Sequence, residues 1–164
     1  MSVKIIETFS PEETMALGLS LGQSAFPGEI ICLDGDLGCG KTVFTQGFAR
    51  GLGVSDDVVS PTFTIIREYE DGRLPLYHFD VYRIGDPDEM EELGYEDYFY
   101  GPGVTLIEWS KLIEELIPET ALKILIEKDP SRGDDYRRIT AEGSSLENAL
   151  RDNVSSVSGR GEEA

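Results

Sequence analysis

Residues 35–42, Gly-Asp-Leu-Gly-Cys-Gly-Lys-Thr, place three glycines, a lysine and a hydroxyl where an apolar run gives way to a helix-compatible one. A phosphate group needs several donors converging from one side. Consecutive backbone N–H groups at a glycine-rich turn entering a helix provide them. In such a loop Gly35, Gly38 and Gly40 permit the backbone path, and Asp36, Leu37 and Cys39 complete it. Lys41 brings a point charge to the β and γ phosphates, and the Thr42 hydroxyl is placed to ligate Mg²⁺.

A magnesium nucleotide site also needs an acid, usually from the C-terminal end of a neighbouring parallel strand. Glu108, directly after the apolar run Val104 to Ile107, is the candidate, with a solvated surface acid as the plain alternative. Trp109 beside it, a lone tryptophan, fits core or interface packing. His78, Asp80 and Tyr82 are spaced by two, which on a strand gathers their side chains on one face, opposite Tyr77, Phe79 and Val81. Asp80 could orient or deprotonate a water, or hold the metal shell, whereas His78 is as readily a hydrogen-bonded structural residue. Ser60-Pro61-Thr62 lies where related nucleotide enzymes carry a loop that senses the γ-phosphate, and a simple turn fits equally. Cys39, beside a helix N-terminus and Lys41, is expected to have a lowered thiol pKa and a reactive thiolate, with an inert small residue as the alternative.

The elements that must position these groups follow from local signals. Ser10, Pro11 and Glu13 form a capping box for a helix to about Ser24. The continuous apolar run within Glu29 to Leu33 predicts a strand buried on both faces, and Lys41 to about Leu52 a helix ended by Gly53. Thr62 to Glu70 and Leu76 to Tyr82 read as strands joined at the Asp71-Gly72 turn, with Pro75 marking an edge. A short helix is expected from Asp86 to near Gly94, a strand over Val104 to Ile107, and a helix over Ser110 to Ile117. Leu122 to Glu127 and Tyr136 to Ala141 predict a closing antiparallel pair. Residues 1–142 thus read as one domain. Residues 143–164 read as an acidic, Ser/Gly-rich tail with a short helix around Leu146 to Leu150 and disorder beyond.

The chain has 164 residues, 32 acidic against 14 Lys plus Arg, for a net charge of −18. Such a surface repels a nucleic acid backbone rather than gathering it, so contact with RNA would need a basic partner. Two cysteines without zinc-site spacing, and no apolar run near the roughly 20 residues that span a bilayer, fit a cytoplasmic protein with no membrane association.

Four separated motifs carry a resemblance: GDLGCGKT at 35–42, SPTFTI at 60–65, YHFDVYRIGDPDEMEELGYEDYF at 77–99 and LIEWS at 106–110. Together they resemble the TsaE family, small bacterial P-loop ATPases of threonylcarbamoyladenosine formation in tRNA. The resemblance implies an α/β, P-loop NTPase-like fold, with a central mixed, largely parallel sheet flanked by helices and antiparallel hairpin additions. It implies ATP or ADP with Mg²⁺ at the loop and slow hydrolysis, with Lys41 and Thr42 on the phosphates and metal. It makes Glu108 a magnesium ligand, Asp80 a residue needed for hydrolysis, Thr62 part of a switch-like loop and Trp109 a neighbour of the nucleotide. The family's site extends beyond the loop, and Thr14 and Arg132 are the candidates for that part here. The implied partners are TsaB and TsaD, with tRNA engaged only through them and the transfer of the threonylcarbamoyl group left to them. The modified base would be the adenosine beside the anticodon. Cys39 departs from the family's usual alanine. Two other readings of the same loop are a small-molecule kinase, for which no clustered basic lid is evident, and a nucleotide-dependent binding switch without turnover.

Overall fold

The computed structural model describes residues 2–36, 38–59, 61 and 65–143. In chain order the elements are β1 (Ser2–Thr8), α1 (Pro11–Ser24), β2 (Ile30–Gly35), α2 (Lys41–Gly51), β3 (Ile66–Tyr69), β4 (Leu76–Asp80), α3 (Glu89–Glu92), α4 (Tyr95–Phe99), β5 (Val104–Glu108), a 3₁₀ stretch (Ser110–Leu116), β6 (Leu122–Lys128), a 3₁₀ turn (Pro130–Arg132) and β7 (Arg137–Gly143). The strands form one sheet in the order β1-β7-β6-β2-β5-β4-β3. Its centre, β6-β2-β5-β4, is parallel. The additions β3, β7 and β1 pair antiparallel at the two sides. This is the α/β architecture expected from the sequence, hairpin additions included. No helix among the described residues is long and apolar enough to cross a membrane.

Some boundaries differ from expectation. The strand predicted from Thr62 begins at Ile66, since Ile65 at φ 68 is outside strand geometry; residues 62–64 lie outside the described residues. The short helix expected from Asp86 to near Gly94 is α3, followed by Gly94 at φ 68, a conformation that an L-residue resists; α4, beyond that glycine, was not anticipated. β1 was not anticipated. It is an outer strand whose Val3 and Ile5 are exposed, so its residues lack the clean alternation that marks a half-buried strand. The expected tail lies outside the described residues.

One face of the sheet carries α1 and α2, which meet through two glycine pairs. A Cβ on Gly18 would run into the Phe44 carbonyl oxygen and one on Gly22 into that of Phe48. On α2, Gly47 faces the Met15 carbonyl and Gly51 that of Leu19. The two backbones therefore touch, with Phe44, Phe48, Leu52 and Leu21 buried against Ile31, Leu33, Ile124 and Ile139 of the sheet. The opposite face is closed by α3, α4 and the 3₁₀ stretch, whose Met90, Phe99 and Ile113 pack on Cys32, Phe79 and Ile107. Phe99 meets Phe79 and Tyr95 edge to face, with ring centroids 5.7 and 5.0 Å apart.

Candidate functional site

The loop expected to cradle phosphate leaves the carboxyl end of β2, the central strand, and feeds directly into α2. Gly38 (φ 75) and Gly40 (φ 106) hold backbone conformations closed to most side chains, and Gly40 is the residue that caps α2. Cys39 N donates to the Asp36 carbonyl at 3.1 Å, closing the turn. Lys41 is 7% exposed, and its Nζ donates to the Gly35 carbonyl at 2.7 Å. The ammonium is thus turned back into the loop rather than out to solvent. Thr42, one residue on, is exposed at the first turn of α2. Leu37 lies outside the described residues.

β5 lies next to β2, and β4 next to β5, all parallel, so their carboxyl ends finish beside the loop. The register pairs Glu108 with Leu33 on one side and Asp80 on the other. Both acids are 6% exposed. Burying two carboxylates costs free energy unless hydrogen bonds or cations answer them. Glu108 Oε2 lies 2.7 Å from His78 Nε2, and Asp80 Oδ1 accepts from Tyr82 N at 3.0 Å. His78 Nδ1, also buried, has no partner among the described residues. His78 and Asp80 share a face as their spacing predicted. Tyr82 falls beyond the strand, and its exposed ring leans on Trp109 with centroids 4.8 Å apart.

Trp109 joins the site through its backbone. At φ 62 it occupies the left-handed region, uncommon for a non-glycine residue, and its ring lies under Lys41 Nζ, 4.0 Å from centroid to nitrogen. The sequence alone favoured packing for this residue. It also packs against the second core cluster, so it does both. Ser110, next in the chain, donates N–H and hydroxyl to the Asp34 carboxylate at 2.8 and 2.5 Å. This ties the end of β2 to the segment that leaves β5.

Two cations that the sequence reading passed over reach the loop from the far side. Arg137, at the start of β7, donates from Nε to the Cys39 carbonyl at 2.6 Å, and a Cβ on Gly40 would lie 3.7 Å from that nitrogen. Lys128 Nζ, at the end of β6, would be 3.4 Å from a Cβ on Gly38. With Lys41 they make the loop locally cationic within a strongly acidic chain. No local sequence pattern signals Arg137, which meets Cys39 across 98 residues.

Thr14 is buried, exchanges a 2.7 Å hydrogen bond with Thr8, and lines a small cavity with Pro11, Gly40, Val43, Asp135 and Arg137 beside the loop. Arg132 is directed elsewhere: it pairs with Glu7 and stacks on Tyr136, and it is Arg137 that reaches the loop. Thr62 lies outside the described residues. Cys39 overturns the expected thiolate. Its side chain is 1% exposed and sits in the core cluster, and burial pushes the thiol up despite Lys41 pulling the other way. Helix N-terminus and lysine are both present, but desolvation outweighs them.

These residues fit a magnesium nucleotide. The concave backbone, the lysine folded into it and the flanking cations suit a polyphosphate. Among the described residues no group of three or more His, Cys, Asp or Glu could hold a metal by itself.

The chain is similar to known proteins over most of its length. The family model described as threonylcarbamoyl adenosine biosynthesis protein TsaE matches residues 8–139. The tRNA threonylcarbamoyladenosine biosynthesis protein TsaE of Bacillus subtilis (strain 168) is 55% identical over 133 residues, 81% of each chain. Its namesake from Nostoc is 44% identical over 119 residues, covering 70% of this chain and 72% of that one. The crystal structure of Bacillus subtilis YdiB superposes with a TM-score of 0.77 at 44% identity, covering 94% of this chain and 95% of that one. A match of this extent, running through the loop, both buried acids and Trp109, places the chain in the TsaE family, whose members serve threonylcarbamoyladenosine biosynthesis.

Proposed function

We propose that this protein binds ATP with Mg²⁺ at the 35–42 loop and hydrolyses it slowly, in support of threonylcarbamoyl modification of the adenosine beside the anticodon in tRNA. The observation that carries this reading is the convergence on one spot of Lys41, turned into its own loop, and of Glu108 and Asp80, side by side at the ends of β5 and β4. Lys41 exchanges the Gly35 carbonyl and the Trp109 ring for phosphate oxygens, a stronger, charge-assisted contact. Thr42 and Glu108 are the residues that would hold the magnesium. When bound, the ion would supply positive charge that offsets the negative charge developing on the phosphates. Asp80, one strand over, orients the attacking water, with its carboxylate held in place by the Tyr82 N–H. Thr14, Val43 and Arg137, which line a small cavity beside the loop, are the side chains that would rest against the base or ribose.

The partners in this reading are TsaB and TsaD, which carry out the transfer, while this chain supplies the nucleotide-dependent step. A net charge of −18 leaves tRNA to the partners. The test is phosphate release from MgATP by the protein alone and with the TsaB and TsaD pair. Slow release alone that changes on adding the pair supports the reading. No release in either case leaves a binding switch, and release only with a small-molecule acceptor indicates a kinase. Submicromolar tRNA binding by the isolated chain at physiological salt would overturn the division of labour.

A further inference from the structure

Arg137 is the first residue of β7, in register with Thr8 of β1 on one side and Lys128 of β6 on the other. The sheet therefore sets where its side chain starts. Its guanidinium meets three backbone carbonyls: Nε donates to that of Cys39 at 2.6 Å, and Nη1 to those of Asp134 and Tyr136 at 2.7 Å each. Although the chain has 32 acidic residues, Arg137 has no carboxylate partner among the described residues. Its hydrogen bonds fix the direction of carbonyl groups, and one of those groups lies inside the phosphate loop.

The Cys39 carbonyl belongs to the peptide that joins Cys39 to Gly40. No cis peptide occurs among the described residues, and in a planar trans peptide the C=O and the N–H point in opposite directions. With its oxygen held toward Arg137, this peptide turns the Gly40 N–H away from Arg137. That N–H donates to no backbone carbonyl among the described residues, and it stands among the orphan donors at the start of α2. Gly40 is at φ 106, and glycine adopts either sign of φ readily, so the peptide plane is free to turn over unless something holds it. Turned over, it would present a carbonyl oxygen where a phosphate needs a donor. We infer that Arg137 is a positioning residue for the phosphate site: by holding the Cys39 carbonyl it keeps the Gly40 N–H turned to the polyphosphate. Donors fixed before the ligand arrives cost no reorganisation when it binds. The inference rests on the reading of the loop as a nucleotide site, and it gives Arg137 a role exerted through the backbone, separate from contact with base or ribose. Lysine would keep the charge but lacks the planar fork that answers several carbonyls in fixed directions.

The experiment uses the full chain and inorganic tripolyphosphate, which has neither base nor ribose. Calorimetry measures its affinity, and amide spectra of the isotope-labelled protein are recorded without ligand. Arg137→Ala and Arg137→Lys are each expected to weaken tripolyphosphate binding about ten-fold, as the loss of one N–H contact to a charged group does. Both should also move the Gly40 amide resonance of the unliganded protein. Arg138→Ala removes the same charge from the next residue along, which is exposed, and should change affinity less than about two-fold because an exposed charge is screened. If Arg137→Ala fails to fold, Arg137→Lys carries both readouts. A lysine variant that binds tripolyphosphate as the wild type does would make the role one of charge, and weakened ATP binding with tripolyphosphate unaffected would make it one of base or ribose contact. A Gly40 amide that does not move would show that Arg137 does not hold the peptide. Each of these results overturns the inference while the wild type still binds tripolyphosphate. A wild type that binds none overturns the nucleotide reading along with it.

Discussion

The two faces of the sheet are closed by different means. On the α1 and α2 face, helices meet backbone to backbone through Gly18, Gly22, Gly47 and Gly51, and the position of α2 is fixed by contacts that no side chain can adjust. On the other, Phe79, Tyr95, Tyr98 and Phe99 interlock at their ring edges, a contact that can repack. The nucleotide loop springs from the first kind of surface, and among the described residues no helix covers the outer half of the second. The contrast indicates that rigidity is concentrated where Lys41 and Thr42 must be held to the phosphates, because α2 begins at the loop.

Matched substitutions test whether that contrast is energetic. Gly47→Ala would ordinarily gain helix propensity of roughly 1 kcal/mol. Here its methyl meets the Met15 carbonyl, and the protein is expected to lose about 3 kcal/mol instead, as overpacking against an unyielding backbone costs. Phe99→Leu, on the aromatic face, is expected to cost about 1–2 kcal/mol because neighbouring rings can relax into the space. Urea unfolding measures both. Equal losses would erase the distinction between the faces.

Within the rigid half, chemistry should separate from stability. Lys41→Ala is expected to reduce MgATP affinity about 100-fold by calorimetry, from loss of a charge-assisted contact to phosphate, while the unfolding midpoint moves little. Removing His78 should do the reverse. His78→Ala leaves the Glu108 carboxylate buried without its 2.7 Å partner, at an expected cost of about 2 kcal/mol in stability. Metal-free nucleotide should bind as before. A fall in nucleotide affinity without Mg²⁺ would show that His78 serves the loop itself rather than Glu108.

The parts of this site that the sequence disclosed are those made of neighbours. The loop, the strand before it and the helix after it lie within a few residues, and each has its own signal: glycines, an apolar run, a helical period. Glu108 and Asp80 were legible as acids at strand ends, because parallel strands deliver their carboxyl ends to one edge. The contributions hidden from the sequence come from strand order. Arg137 and Lys128 reach the loop only because β6 lies beside β2 and β7 beside β6, a pairing that no local pattern encodes. The four glycines were visible as letters, yet their meaning depended on which helix lies against which. Trp109 reads from the sequence as a packing residue, and its left-handed backbone, which aims the ring at Lys41, has no sequence signature in a non-glycine residue.

Cys39 provides the smallest and most discriminating effect, because charge and burial oppose each other at one atom. The charges nearby, Lys41 and Arg137, lower the thiol pKa, and desolvation raises it further than they lower it. The folded protein should therefore resist alkylation at pH 7, reacting at least about ten-fold more slowly than an exposed thiol, and its rate should climb through pH 9 rather than level off near neutrality. Cys32, deeper in the same strand and loop region, is pushed up to about 12 by burial, so it stays silent over that range and the measured reaction belongs to Cys39. The linkage has a definite sign. A thiol whose pKa is higher folded than unfolded contributes stability that is complete below the unfolded value and is lost as pH rises through the folded one. Stability should accordingly decline from about pH 9 upward, with Cys32→Ala flattening the decline more than Cys39→Ala. Fast, plateauing alkylation at neutral pH would mean that the loop opens to expose the thiol, and the rigid face would then be rigid only as far as Gly40.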